Sequence, residues 1–337
     1  MKNTLPHGYQ SRPVTMEDLE PTVAMLNEWS QKVLGVKAFE VIDIGSLWST
    51  PGLDLDRDTR LVLAPNGAIV GYYEVWDIDD PHAHVNIWGR VHPAYMGNGV
   101  GSYLIEWAEE RGRMAIPKAP AGTRVTLMGH CLSADRDAFE LFRNAGFNLI
   151  RHSLRMVIDL DGQPPEPVWP EGITRRTLVV GQDEPAALQA VRDSFQDHWG
   201  YVARPFEAEL ARWKHFMETD DIFDPSLWNL AIAGDQVVGI ALNYPYVDDD
   251  HDMGWVGTLG VVRDWRRHGL GLALLQHSFQ QFYRRGKRKV GLGVDAQNLT
   301  GATRLYLKAG MHPDPDREWS IFEKELRPGW ELGTQSV

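Results

Sequence analysis

The sequence predicts an α/β protein made of two copies of one domain joined by a linker. Its 337 residues exceed one typical domain and suit two of roughly 150–170. The order of strands, hairpin, glycine loop and helix in the first half returns in the second. Between the halves, residues 159–172 (DLDGQPPEPVWPEG) hold four prolines and two glycines with no periodic pattern. The expected division is therefore residues 1–158, a linker at 159–171, and residues 172–337.

Composition narrows the function classes. Hydrophobic residues at 43% and charged residues at 24% give ample core for independent folding. Net charge is −12, with 15 basic against 20 acidic residues in 1–160 and 19 against 26 beyond. Neither half is a basic module, so a nucleic-acid partner is not expected. The single cysteine, Cys131, excludes an internal disulfide and a Cys-based zinc site. His82, His84 and His251 lack ligand spacing, so no metal is expected. No apolar signal core and no 18-residue apolar run occurs, which points to a cytoplasmic protein without a membrane partner.

Taken in order, Thr15-Met16-Glu17-Asp18 has the form of a capping box before the helical pattern LEPTVAMLNEWSQKVL. Residues 37–58 read as irregular. RLVLAPNGAIVGYYEVWDI reads as two strands about Pro65-Asn66-Gly67, and HVNIWGRV as a third. A glycine loop follows, then the helix SYLIEWAEERGRMA, the buried strand TRVTLMGHCL, a helix ended by Gly146, and the closing strand LIRHSLRMVIDL. The second half answers each part: a hairpin about Gly234-Asp235, then WVGTLGVV, a glycine loop with its helix, KVGLGVDAQ, and ATRLYLKAGM. Gly101 to Gly271 spans 170 residues and Gly146 to Gly310 spans 164, the difference matching the extra loop PKAPAG. A repeat of that length is a duplicated domain, not a solenoid.

The second glycine loop carries the sharpest signal. In Arg266-Arg267-His268-Gly269-Leu270-Gly271 a β-branched run stops, glycines let backbone N–H groups converge, and an amphipathic helix begins. Orphan donors and the positive end of the helix dipole make an anion socket there. An ordinary strand-to-helix turn is the plainer reading of such a loop in isolation. A dinucleotide-binding Rossmann unit is rejected, because neither loop has the third glycine of G-x-G-x-x-G and hairpins surround both.

Hairpin, strand, R-x-x-G-x-G, helix, strand, Asn298 and the L-Y-x-x-x-G-M ending together resemble the GNAT superfamily of N-acetyltransferases, and the doubling resembles its tandem members. The resemblance implies, for each copy, a mixed, mostly antiparallel sheet splayed in the middle, with acetyl-CoA in the splay. It implies pantetheine along Leu259, Gly260 and Val261, pyrophosphate on the loop from Arg266 to Gly271, and a cofactor contact from Asn298. Tyr306 matches the tyrosine that protonates the departing CoA thiolate in many members, a role a phenol can fill. Tyr306 could also be a core residue, and Asn298 a helix cap.

In the first copy Met96 stands for Arg266, Phe142 for Tyr306 and Ala134 roughly for Asn298. Val91 and the run Gly97, Asn98, Gly99, Val100 and Gly101 keep a possible second CoA site without the acid. Catalysis is thus expected in the second copy, with a small-molecule amine as acceptor and direct attack in a ternary complex. A non-catalytic acyl-CoA-binding protein is the alternative. His198, Trp199 and Asp252 fall where acceptor-binding segments lie, although His198 and Trp199 could equally be loop packing and Asp248–Asp252 a solvated tip. The basic run 284–289 resembles a nucleic-acid patch, but within an acidic domain it reads as charge that complements a helix C-terminus and covers the surface. The chain is expected to be a monomer or homodimer.

Overall fold

The computed structural model describes residues 4–78, 80–220, 222–247, 249–297 and 301–332. The chain forms two compact units, and they do not follow the expected contiguous halves. The N-terminal unit comprises residues 1–152 with 319–332, and the C-terminal unit is built on 153–318.

The N-terminal unit contains β1 (Gln10–Arg12), α1 (Leu19–Val33), α2 (Val41–Trp48), α3 (Leu55–Asp58), β2 (Thr59–Leu63), β3 (Ile69–Trp76), β4 (His84–Val91), α4 (Val100–Gly112), β5 (Val125–Leu132) and α5 (Arg136–Asn144). Asp18 accepts from the Thr15 amide at 2.8 Å and from its hydroxyl at 3.0 Å, fixing the entry to α1. The strands run β1-β2-β3-β4-β5, antiparallel except for the parallel β4–β5 pair. Alternate residues of the sheet face opposite layers. Tyr73, Val75, Val85 and Ile87 pack with α4, while Tyr72 and Trp88 pack with α1 and α2. The stretch 37–58, expected to be irregular, contains α2 and α3. Ile44 and Trp48, four residues apart, bury one face of α2, and Trp48 Nε1 donates to the Tyr72 hydroxyl at 2.7 Å.

The next strand, β6 (Asn148–Asp159), enters the C-terminal unit from Ser153 onward. Residues 161–170 have no regular structure. The unit continues with β7 (Ile173–Thr177), α6 (Glu184–Phe195), α7 (Phe206–Thr219), β8 (Trp228–Ala233), β9 (Gln236–Tyr244), β10 (Met253–Val261), α8 (Leu270–Arg284), β11 (Lys289–Asp295) and α9 (Ala302–Lys308). Its strands run β11-β10-β9-β8-β7, and Ser153–Asp159 pairs antiparallel with β11. The last strand, β12 (His312–Arg327), supplies Trp319–Arg327 to the antiparallel edge of β5 in the N-terminal unit. Each unit is therefore closed by a strand from a segment that sequence order would give to the other.

The acidic hairpin tip is not simply solvated. The Asp249 carboxylate is largely covered and accepts from Arg155 at 2.8 Å and from Arg317 Nε at 2.6 Å. Among the described residues, no helix is long and apolar enough to cross a membrane.

Candidate active site

A break in strand pairing makes the site in the C-terminal unit. β10 and β11 pair in parallel only from Met253↔Lys289 to Trp255↔Gly291. At the same point the β9–β10 register slips between Val256 and Thr258, so Gly257 sits in a bulge. Only glycine fits there, because a Cβ would stand 2.2 Å from the Tyr244 ring. Beyond the bulge, Leu259, Gly260 and Val261 on one side and Leu292 to Asp295 on the other border a cavity of about 670 Å³.

The glycine loop closes one end of this cavity. Gly269, at φ +86°, caps α8, and nothing lies within 4 Å of where its Cβ would be, leaving open space over the helix start. The first amides of α8 have no intrahelical acceptors. Arg267 holds φ +67°, a left-handed conformation that costs a non-glycine residue roughly 1–2 kcal/mol, and it lines the cavity. Gly271 also lines it, and a Cβ there would press on Leu305 at 3.3 Å.

Arg266 lines the cavity and also braces the loop. Its guanidinium donates to Val261 O at 3.1 Å, Asp197 Oδ2 at 2.9 Å and Ser194 O at 2.9 Å. It ties the end of α6 to the end of β10 and the loop, so its charge is largely committed to protein partners. Arg263 pairs with the same Asp197 carboxylate. The His268 side chain is exposed, edge-on to Trp265, and Leu270 is core, so neither side chain lines the cavity.

Tyr306, on α9, lines the cavity at 7% exposure, and burial pushes its phenol up to about 12. Among the described residues its hydroxyl has no hydrogen-bond partner, leaving the proton available to a ligand. His198 also lines the cavity, 4.5 Å from the Phe195 ring. Its pKa is lowered, first by burial and then by Arg266, against smaller raising effects of Asp197 and Asp295. A neutral imidazole able to accept a proton results. Trp199 and Asp252 do not line the cavity, and Asp252 is exposed on the hairpin after β9. Asn298 lies outside the described residues. Sequence reasoning missed Asp197 and Ser194, whose part depends on where α6 ends.

The N-terminal unit has a second opening of the same kind. β4 and β5 pair only from His84↔Thr126 to Asn86↔Met128, and a cavity of about 530 Å³ follows. Val91, Gly97, Gly99 and Gly101 line it, with Gly97 at φ +78° where Arg267 stands in the other unit. Asn98 is exposed and Val100 is core, so their side chains stay outside the lining. Phe142 occupies the Tyr306 position, stacked on Phe322 with centroids 4.9 Å apart. No proton donor stands there.

A mixed sheet splayed beside a glycine-opened helix, found twice, defines an acyl-CoA transferase architecture. Residues 188–311 match the acetyltransferase (GNAT) family, and residues 56–149 match an acetyltransferase (GNAT) domain. A mycothiol acetyltransferase of Streptomyces scabiei is 29% identical over 89% of this chain and 91% of its own length. One of Streptomyces bingchenggensis is 30% identical over 75% and 77%. A GCN5-related N-acetyltransferase structure from Sphaerobacter thermophilus superposes with a TM-score of 0.77 at 35% identity, covering 98% of this chain and all of that one. A tandem GNAT protein from the clavulanic acid biosynthesis pathway shares the fold, with a TM-score of 0.70 at 16% identity over 95% of this chain and 99% of its own. The chain belongs to the GNAT acetyltransferase family. It is an acyltransferase whose co-substrate is acetyl-CoA.

Proposed function

We propose that the C-terminal unit transfers the acetyl group of acetyl-CoA to the primary amine of a small molecule by direct attack within a ternary complex. The observation that carries this reading is Tyr306, a buried phenol with no hydrogen-bond partner among the described residues, at the cavity where the other unit has Phe142. Acetyl-CoA supplies a thioester that an amine can attack directly. The open edge at Leu259, Gly260 and Val261 would hold pantetheine, and the amides from Arg267 to Gly271 its pyrophosphate. The bulge at Gly257 frees a peptide from the ladder, so a backbone N–H is available to charge developing on the carbonyl oxygen. His198, neutral at pH 7, takes the amine proton, and Tyr306 gives a proton to the departing thiolate. The net charge of −12 favours a cationic amine, and the likeness to mycothiol acetyltransferases makes mycothiol-related amines the starting point for an acceptor screen.

For the N-terminal unit the glycine cradle supports CoA binding, and Phe142 supports a non-catalytic role. Tyr306→Phe should lower kcat about 10²-fold with little change in acetyl-CoA affinity, whereas Phe142→Leu should leave kcat unchanged. Free-thiol release and calorimetric titration measure the two quantities. Full turnover in Tyr306→Phe would remove the assignment of the acid, and a titration stoichiometry of one would remove the second CoA site.

A further inference from the structure

The N-terminal unit holds a buried cation to which, among the described residues, no carboxylate is hydrogen-bonded. Arg90, near the end of β4, is 9% exposed. Its guanidinium lies 4.2 Å from the ring centroid of Trp29 and 4.8 Å from that of Trp88. Its one hydrogen bond among the described residues runs from Nη1 to Gly89 O at 2.7 Å, and its buried Nε has no partner. Arg90, Trp29 and Trp88 all line the 530 Å³ cavity beside Gly97 and Gly99.

Asp135, Asp137 and Glu140 also line this cavity, and Asp135 and Glu74 act on Arg90 through space, but among the described residues none of them hydrogen-bonds the guanidinium. Asp135 accepts from the Ala138 amide at the start of α5. Glu74 accepts from Tyr72 and from Trp76. Tyr73, Cys131 and His130 are further polar neighbours, and Arg90 adds to burial in lowering the His130 pKa. Burial lowers the Arg90 pKa to about 10, so the guanidinium remains charged at pH 7. A buried guanidinium with an unfilled hydrogen-bonding edge is unfavourable, and a ligand carboxylate that fills it recovers part of what burial lost. The equivalent step of the C-terminal unit is Gly260, where a Cβ would meet Ser194 at 2.8 Å, so the cation is peculiar to this copy.

We propose that the N-terminal cavity binds a ligand bearing a carboxylate, seated on Arg90 between the two indoles. A planar guanidinium matches a planar carboxylate in two parallel hydrogen bonds, and the indole faces keep water from them. The carboxylate could be the far end of a dicarboxylic acyl group on CoA or a free dicarboxylate. The proposal does not depend on which unit transfers acetyl, because turnover does not enter its readout.

The test is calorimetric titration of the full chain with malonyl-CoA, acetyl-CoA and free malonate, repeated on Arg90→Gln and Arg90→Lys. Malonyl-CoA should occupy one site about ten- to a hundredfold more tightly than acetyl-CoA. Arg90→Gln should abolish the preference and Arg90→Lys should keep part of it. Arg90-dependent binding of free malonate, with no gain from the thioester, would assign the ligand as the free acid. A gain seen only with malonyl-CoA would assign the CoA ester. If Arg90→Gln does not fold, Trp88→Leu, which removes one wall, must weaken the same binding. Equal affinity for malonyl- and acetyl-CoA in the native chain, with no binding of malonate, would overturn the proposal.

Discussion

Arg266 and Met96 stand at the same step of two glycine loops, yet only the arginine can fasten its loop to a neighbouring helix. By holding Ser194 O and the Asp197 carboxylate, Arg266 fixes the end of α6, and His198 is the next residue along. One side chain thus sets both the loop and the proposed base. Its charge also helps burial to lower the His198 pKa below the ordinary 6.5. The sign follows directly. A base with a depressed pKa is active when neutral, so kcat should be flat above pH 6.5 and fall only as pH drops through a lower value. His198→Gln should lower kcat about 10²-fold and flatten that acid limb. A kcat profile from pH 5 to 8 checks it, and a limb that survives in the variant removes His198 from the role.

At the scale of elements, α2 and β3 are joined by a buried polar chain. Trp48 Nε1 donates to the Tyr72 hydroxyl, Tyr72 donates to Glu74, and Trp76 Nε1 donates to the other Glu74 oxygen at 2.8 Å. Burial, the largest cause, raises the Glu74 pKa from 4.5 to about 7 despite these donors. A carboxyl whose folded pKa lies above its unfolded value contributes stability fully below pH 4.5, and that contribution is lost as pH rises through 7. The difference is of order 3 kcal/mol. The N-terminal unit should therefore melt at lower temperature at pH 8 than at pH 5, and Glu74→Gln should flatten the slope in a thermal-unfolding series. The same region shows where sequence reading stops. Hairpins and glycine loops were legible because turn chemistry is local. α2 was not, because Val41, Ile42, Ile44 and Gly45 are poor helix formers and Tyr72, distant in sequence, holds the helix. Arg90 read as an ordinary strand residue, since a missing partner cannot be seen in a periodicity.

At the scale of the whole molecule, the duplicated order of elements was visible in the sequence, but the ownership of the closing strands was not. A strand's own pattern fixes which face is buried and leaves open which edge it joins. Phe322 shows the consequence. It lies twenty residues beyond Ala302, the start of α9 in the C-terminal unit, yet it is fully buried in the N-terminal core, stacked on Phe142 and edge-on to Phe139 at 5.1 Å. Phe322→Ala removes an aromatic side chain from that core and should cost about 3–5 kcal/mol. With two units the loss is best read locally. Hydrogen exchange should quicken in β2 to β5, all more than 180 residues away in sequence, while β8 to β10 keep their protection. Acetyl transfer should persist at temperatures where the N-terminal unit has opened, if Tyr306 and its cavity carry the reaction. Quickened exchange confined to β8–β10 would show that the final strand serves the unit that precedes it in sequence, and the exchange of strands would have to be abandoned.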